Sequence, residues 1–207
     1  LYFPVYLAVF FWLENRSVSK YHVVQSTLDS HIPFLEIFII PYFLWFGFVA
    51  LGVAYFFFKD VKDYYRLIAF LYSGMTIFLI WSYVYPNRLF LRPMAFTRDN
   101  IFIRMVQHLY AIDTPTNVFP SIHVFNSLGI AITVLNSNRL RNFRAVRIGS
   151  VVLATLIVLS TMFLKQHSLI DVTGGCVMAA ALYWLIYQCG YQRIAELFRR
   201  PANRRIA

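Results

Sequence analysis

The chain has 207 residues, of which 59% are hydrophobic and 19% aromatic, while only 14% are charged. This composition excludes an ordinary soluble domain, in which about a quarter of the residues are charged. The net charge of +10 would suit a nucleic-acid-binding protein, but the Lys and Arg residues fall in short segments between long apolar runs. That pattern is typical of membrane proteins and excludes the nucleic-acid interpretation.

Six apolar runs predict an all-α, integral membrane bundle of six transmembrane helices that forms one membrane domain over residues 1–207. A bilayer crossing needs about 20 apolar residues. The first run is shorter and residue 1 is not Met, so we expect the sequence to begin inside a longer chain. The predicted spans cover about residues 1–13, 33–58, 64–85, 121–135, 148–164 and 168–190.

Two segments outside these spans also have predicted structure. Residues 86–120 form the longest polar segment, and the pattern at 100–112 predicts a short amphipathic helix. Asp113, which follows that helix, is predicted to be a loop or cap residue. The basic tail at 191–207 predicts a helix that lies on the membrane surface.

The distribution of Lys and Arg predicts the orientation of the bundle. With six spans, both termini lie on one side, together with the connections from span two to three and from four to five. Twelve of the nineteen Lys and Arg residues fall on that side, so the positive-inside rule predicts that it is cytoplasmic. The other seven fall on the outer side, several of them near two histidines, which indicates an anion site. We therefore expect a plasma-membrane protein with its active site facing outward.

The stretch 164–171 lies between two apolar runs and carries a histidine and an aspartate. On a helix, His167 and Asp171 would stand four residues apart and share one face. Ionisable side chains at the edge of an apolar span are costly to keep, which makes them functional candidates. A carboxylate on one imidazole nitrogen leaves the other nitrogen free to act as a nucleophile. The alternative is that Asp171 only caps a helix and that His167 is an interfacial polar residue.

Further residues on the outer side suit a phosphate site. Arg88 and Arg92 follow span three at helical spacing, and guanidinium groups match phosphate oxygens in a bidentate way; interfacial arginines that reach lipid headgroups are the alternative. Ser121 is predicted to be the N-cap of span four, where free N–H groups bind anions. His123 in the same turn would donate a proton to a leaving oxygen, unless this is an ordinary capped helix. Lys165 would add positive charge.

A metal site is the competing interpretation of the same side chains. His123, His167 and Asp171 are residue types that hold divalent metal ions. The neighbouring Arg and Lys residues would oppose a bound cation, and these cationic surroundings also disfavour haem ligation by the two histidines. The pattern therefore favours phosphoryl transfer without a metal or another cofactor.

Together these segments resemble the type 2 phosphatidic acid phosphatase superfamily of membrane enzymes, whose three-part signature reads K-x6-R-P, P-S-G-H and S-R-x5-H-x3-D. The resemblance covers about residues 33–190, the predicted catalytic core, and agrees in order, distances and six-span topology. The matching residues are Arg92, Pro93, Pro120, Ser121, His123, Ser160, His167 and Asp171.

Three positions depart from this signature. Tyr85 stands in place of the Lys, Ile122 in place of the Gly, and Thr161 in place of the Arg. Arg88 and Lys165 would supply the missing charges. The sequence around His167 is nearest the branch that includes inositol phosphorylceramide synthase-like proteins. This resemblance leaves two acceptors open, water and the hydroxyl group of a lipid or polyol.

The resemblance implies a mechanism. His167 would attack phosphorus and form a phosphohistidine, and Asp171 would orient it. His123 would protonate the leaving lipid alkoxide and then activate the acceptor. The residues implied to hold the phosphate oxygens are Arg92, Ser121, Lys165 and Arg88.

We therefore predict a metal-independent membrane phosphatase that hydrolyses a lipid phosphate or diphosphate at the outer face. Prenyl diphosphate, phosphatidylglycerol phosphate and phosphatidate are candidate substrates. One alternative is a lipid phosphotransferase that moves a phospho-headgroup to an alcohol. Another is a non-catalytic, lipid-binding membrane protein with a degenerate site.

Overall fold

The computed structural model describes residues 2–189 of the chain, and within this range nearly all regular structure is helical. Two strands of two residues each are the exception. In chain order the α-helices and strands are α1 (Tyr2–Asn15), β1 (His22–Val23), α2 (Ile39–Lys59), α3 (Val61–Val84), β2 (Asn87–Arg88), α4 (Ile101–Ile112), α5 (Ile122–Asn136), α6 (Arg144–Phe163) and α7 (Leu169–Tyr183). Short 3-10 helices at Thr27–Ser30 and Glu36–Phe38 precede α2, and a π-helical segment at Trp184–Cys189 follows α7.

Each predicted span corresponds to one helix, and the predicted short amphipathic helix is α4. Leu1, the end of the last span at Gly190 and the predicted tail helix at 191–207 lie outside the described residues. Four helical segments in the described range are long and apolar enough to cross a membrane. They are Glu36–Lys59, Val61–Val84, Arg144–Phe163 and Leu169–Cys189.

The helices α1 and α5 are shorter, with 14 and 15 residues. At 1.5 Å per residue they extend over roughly 21 to 23 Å, whereas the hydrocarbon core of a bilayer is about 30 Å thick. The structure therefore shows a helical membrane protein with four helices of spanning length, and the crossing by six helices stays a prediction.

Helix α5 is central in the bundle, because it packs against α2, α3, α6 and α7. A close contact with α3 forms where Gly74 faces Phe125, since a Cβ at Gly74 would lie only 2.1 Å from that ring. The rings of Phe70 and Phe125 stack beside it with their centroids 4.6 Å apart, and both are fully buried. Glycine on α3 thus lets a large aromatic side chain fill the centre of the core.

The connections α1–α2, α3–α5 and α6–α7 meet at one end of the bundle. Strand β1 pairs in parallel with β2, which aligns His22 with Asn87. The N–H of Leu35, just before α2, donates to the carbonyl of Phe163 at the end of α6. Three segments that are far apart in the sequence are therefore held together at this end, which carries both predicted catalytic histidines.

The side chain of Asn87 positions the segment that leads into α5. Its Oδ1 accepts hydrogen bonds from the N–H groups of Val118 and Phe119 at 2.8 and 3.0 Å, and its own backbone carbonyl accepts one from Asn117. Asn87 has no exposed surface. Because buried amides are stable only when their hydrogen bonds are made, this contact strongly restrains the approach to Ser121.

Candidate active site

Ser121 caps the N-terminus of α5, as predicted, and its Oγ accepts a hydrogen bond from the N–H of Val124 at 3.4 Å. Its own N–H donates to the carbonyl of Asp171 on α7 at 3.1 Å. This approach depends on Gly175, because a Cβ there would lie 2.8 Å from the backbone oxygen of Ser121. The second and third parts of the predicted site are therefore joined directly through their backbones.

Helix α7 begins with Ser168 as its N-cap, followed by a capping box. The Oγ of Ser168 accepts from the N–H of Asp171 at 3.2 Å, while Oδ2 of Asp171 accepts from the N–H of Ser168 at 2.8 Å. Such reciprocal bonds satisfy donors that a helix start would otherwise leave free. The capping role that the sequence offered as an alternative for Asp171 is therefore present.

His167 and Asp171 do not share a helical face, and this expectation was wrong. Helix α6 ends at Phe163, and α7 begins only after His167. Between them Lys165 adopts a positive φ of 53°, and the N–H groups of Gln166 and His167 both donate to the carbonyl of Thr161. This turn returns the chain so that His167 Nδ1 lies 3.5 Å from Asp171 Oδ2. The pair forms through a turn rather than through helical spacing.

The two histidines lie next to each other. Nε2 of His167 is 3.4 Å from Nδ1 of His123, and the ring centroids are 5.6 Å apart. The ring of His123 also lies near the rings of Tyr42 and Trp45 on α2, with centroids 4.8 and 4.4 Å away. His167 is buried and His123 is half-buried. Helices α2 and α5 and the turn before α7 thus converge on a His–His–Asp chain.

Arg92 lies in the same region, held by its neighbours. Its guanidinium group donates to the carbonyl of Tyr110 at 3.2 Å and to Oε1 of Gln166, and lies 4.5 Å from the centroid of the Tyr110 ring. Burial lowers the pKa of Arg92, and the nearby Asp113 carboxylate opposes that shift. Asp113 also interacts electrostatically with His167, so Arg92 and the catalytic candidate share one electrostatic environment.

Lys165 is bound to the backbone of the α1–α2 connection. Its Nζ donates to the carbonyls of Asp29, at 2.7 Å, and of Ile32. Burial lowers the pKa of the Lys165 ammonium, and the charge of Asp29 opposes the shift. In the described part of the chain, no hydrogen bond or ring contact joins Lys165 to either histidine of the pair.

Arg88 is likewise held elsewhere, and it does not lie on a helix with Arg92 as its spacing suggested. It lies in β2, where its carbonyl accepts from the N–H of Val24. Its guanidinium carbon is 4.2 Å from the ring centroid of Phe90 and 5.7 Å from that of Tyr21. The backbone pairing with the α1–α2 connection excludes the helical geometry.

Three residues that sequence reasoning did not select also belong to this region. Tyr42 donates from its hydroxyl to Oδ2 of Asp113 at 3.3 Å, and Gln166 contacts Arg92. Burial raises the pKa of the Asp113 carboxyl, although Arg92 and His167 act in the opposite direction. The position of Gln166 directly before His167 was the available signal, whereas Tyr42 looks like any other aromatic residue in an apolar run.

No three His, Cys, Asp or Glu side chains among residues 2–189 are arranged as a metal site. The residues that the structure brings together are His123, His167, Asp171, Ser121 and Arg92. This set can perform phosphoryl transfer. It contains a nucleophile with a carboxylate partner, a proton donor, and two groups that bind anions, namely a helix N-terminus and a guanidinium group.

Comparison with known families shows the superfamily to which the chain belongs. A family model described as the PAP2 superfamily matches residues 89–195, which is just over half of the chain and includes all five of these residues. The chain therefore belongs to the PAP2 superfamily, and this membership supports a phosphatase or phosphotransferase activity on lipid phosphates. Comparisons with curated proteins and with solved structures gave no match.

Proposed function

We propose that the protein is a membrane lipid phosphatase that hydrolyses a lipid phosphate or diphosphate through a phosphohistidine intermediate. The observation that carries the proposal is the chain of contacts from His123 to His167, at 3.4 Å, and from His167 to Asp171, at 3.5 Å. A nucleophile that contacts both a carboxylate and a second titratable group has the arrangement required for covalent catalysis.

In the first step, Nε2 of His167 attacks the terminal phosphorus atom, and the bond from this phosphorus to its leaving oxygen breaks. Asp171, next to Nδ1, keeps the proton on that nitrogen and stabilises the positive charge that develops on the ring. His123 donates a proton to the leaving oxygen, which belongs to the lipid alcohol if the substrate is a monophosphate and to the lipid monophosphate if it is a diphosphate. In the second step, His123 accepts a proton from water and the water oxygen attacks phosphorus. The bond between phosphorus and Nε2 of His167 breaks, and inorganic phosphate leaves.

The distance between the histidines also predicts a movement. A phosphorus atom about 3 Å from the nucleophile, with its leaving oxygen hydrogen-bonded to the acid, requires roughly 6 Å between the two nitrogens. In the structure, Nε2 of His167 and Nδ1 of His123 are 3.4 Å apart. Substrate binding therefore has to separate the two rings, and we expect the His123 ring to move relative to Tyr42 and Trp45.

Arg92 and the N-terminus of α5 at Ser121 are the proposed ligands of the phosphate oxygens. Both lie on segments held against the histidines by the hydrogen bonds described above. Arg88 and Lys165, the other two predicted phosphate ligands, contact an aromatic ring and a backbone carbonyl respectively, and their binding to the substrate stays a prediction.

For the whole chain we propose one membrane domain with six crossings in the plasma membrane. In this arrangement the termini are cytoplasmic and the histidine pair is at the outer face. The positive-inside distribution of Lys and Arg supports this orientation. The convergence of the three connections at the histidine end supports the placement of the active site on one side of the membrane.

A phosphotransferase of the inositol phosphorylceramide synthase-like branch is the second candidate. His167 is buried, with only 8% of its surface exposed, and limited water access favours an alcohol as the acceptor in the second step. The two reactions differ in their products. A transferase would move a labelled headgroup to a second alcohol and release little free phosphate.

Turnover by purified protein in detergent tests the proposal. We expect release of inorganic phosphate from at least one of prenyl diphosphate, phosphatidylglycerol phosphate and phosphatidate, with full activity in excess chelator. The variant H167A should lose this activity, whereas H108A, which changes an exposed histidine on α4, should keep it. Unchanged turnover in H167A would contradict the mechanism and favour a non-catalytic role for this site, and loss of activity in chelator would restore the metal interpretation.

A further inference from the structure

Gln166 carries a buried hydrogen-bond donor that nothing in the described protein satisfies. The residue has only 3% of its surface exposed. Its Oε1 accepts a hydrogen bond from Nη2 of Arg92, while its buried Nε2 has no partner among residues 2–189. Arginine has only donors, so the amide atom that faces Arg92 must be the oxygen, and the nitrogen is therefore the free end.

Buried amide N–H groups are almost always hydrogen-bonded in folded proteins. A bound ligand that accepts a hydrogen bond would supply the missing partner. Gln166 directly precedes the proposed nucleophile, and the N–H groups of both residues donate to the same carbonyl, that of Thr161. Asp113 interacts electrostatically with Arg92, the partner of Gln166, as well as with His167. The side chain with the free N–H group therefore lies in the turn that carries His167, and it is hydrogen-bonded to Arg92, the proposed phosphate ligand.

The proposed phosphate site also has fewer cations than its family signature implies. Tyr85 and Thr161 stand where that signature has Lys and Arg. Lys165, the expected replacement, donates to the carbonyls of Asp29 and Ile32. A neutral donor beside Arg92 can take over part of this binding, because phosphate oxygens accept hydrogen bonds from amides as well as from charged groups.

We propose that Nε2 of Gln166 donates a hydrogen bond to a non-bridging oxygen of the substrate phosphoryl group, while Oε1 holds Arg92 in place for a second oxygen. The ligand class is a tetrahedral oxyanion, whether a lipid phosphate or free inorganic phosphate. This inference deepens the proposed function and rests on it, since it assigns a further residue to the same site.

The variant Q166E tests the donor alone. Glutamate has the shape of glutamine and keeps an oxygen toward Arg92, but it replaces the N–H donor with a second, negatively charged acceptor. We expect the affinity for inorganic phosphate, measured by calorimetry on purified protein, to fall by at least about 100-fold, because a charge-assisted hydrogen bond is lost and repulsion is added. The kcat/KM for the lipid phosphate should fall at least as far.

The variant Q166M removes the donor without adding charge, and we expect a loss of about 10- to 100-fold in both measurements. As the matched control, Q107E introduces the same change at an exposed position on α4 and should bind phosphate like the wild type. Thermal unfolding identifies variants that have lost their fold. If Q166E has lost its fold, the phosphate affinity of Q166M tests the proposed donor instead.

Two outcomes would overturn the inference. One is a folded Q166E that binds phosphate and turns over substrate like the wild type, because Gln166 would then act only as a partner of Arg92. The other is a folded Q166M with unchanged phosphate affinity. Failure of the proposed function looks different, because H167A would then leave turnover unaffected. Phosphate binding without turnover still tests Gln166, since calorimetry does not depend on the reaction.

Discussion

At the scale of single residues, the carboxylate of Asp171 contacts two partners through one oxygen. Its Oδ2 accepts the N–H of Ser168 and lies 3.5 Å from Nδ1 of His167. The sequence offered the helix cap and the histidine partner as alternatives, but the structure contains both. The residue is fully buried, so its charge acts on His167 with little screening by water.

The variant D171N separates these two contacts. Asparagine can still accept the N–H of Ser168, but it carries no charge to stabilise the His167 ring in the transition state. We expect phosphate release to fall by about 100-fold or more, with a melting temperature near that of the wild type. The variant D171A also loses the cap, which should lower the free energy of unfolding by about 1 kcal/mol.

Asp99 provides the control for D171N, because it is an exposed aspartate that pairs with Arg104 in the connection between α3 and α5. The variant D99N should keep full activity. If D171N is as active as D99N, Asp171 serves the protein only as a helix cap.

At the scale of elements, the approach of α7 to the start of α5 depends on Gly175. A Cβ at this position would lie 2.8 Å from the carbonyl oxygen of Ser121 and 3.1 Å from the side chain of Val124. The backbone oxygen cannot move away by a change of rotamer, so the helices themselves would have to separate. The hydrogen bond from Ser121 N–H to the carbonyl of Asp171 would lengthen as they do.

We therefore expect G175A to lower the free energy of unfolding by about 1–3 kcal/mol, the usual cost of overpacking, and to reduce turnover. Thermal unfolding and phosphate release measure the two effects. At Gly149 on α6, a Cβ would meet nothing within 4 Å, and alanine has the higher helix propensity. The variant G149A should thus be as stable as the wild type or slightly more so, and an equal loss in both variants would contradict this account of Gly175.

The connection between α1 and α2 supports the turn that carries His167, although it precedes the region matched by the family. The carboxylate of Asp29 accepts from the N–H groups of Leu169, at 2.8 Å, and of Ser26, at 2.6 Å. Its carbonyl accepts from Nζ of Lys165. Asp29 has 1% of its surface exposed, so these bonds are shielded from competing water.

Because D29A leaves two N–H groups without acceptors, we expect it to lower the free energy of unfolding by roughly 1–3 kcal/mol per lost bond. Turnover should fall as well, since the turn before α7 would no longer be held in place. The control S30A changes an exposed neighbour whose hydroxyl bonds to the carbonyl of Thr27 and to Nδ1 of His31, and not to the turn that carries His167. This variant should behave like the wild type. A stable and active D29A would show that this connection does not support the site.

At the scale of the whole molecule, the proposed orientation places the histidine end of the bundle outside the cell. Thiol labelling tests it in a background in which Cys176 and Cys189 are replaced by serine. A membrane-impermeant reagent applied to intact cells should label H108C, at the histidine end, and should label R139C, at the opposite end, only after lysis. Both positions are exposed. Labelling of R139C in intact cells would reverse the orientation without affecting the proposed chemistry.

The helices were predictable from the sequence because an apolar run and its capping residue are local features. Ser121 as the N-cap of α5 and the short helix α4 illustrate this. The predicted six crossings depended on apolar runs alone, whereas α5 is a short helix that four others surround. Apolar residues are favoured both where a helix is buried by protein and where it is buried by lipid. The sequence therefore did not distinguish a helix packed inside the bundle from one that contacts lipid.

The sequence by itself determined that this is a helical membrane protein of the PAP2 superfamily, and it selected His123, His167 and Asp171 as candidates. Only the tertiary structure decided how these residues meet. It placed His167 in a turn rather than on a helix, and it bound Lys165 to a carbonyl 136 residues away. It also left one donor of Gln166 without a partner. Hydrophobicity and capping act between neighbours along the chain, whereas the partner of a buried polar group depends on which distant segments the packing brings together.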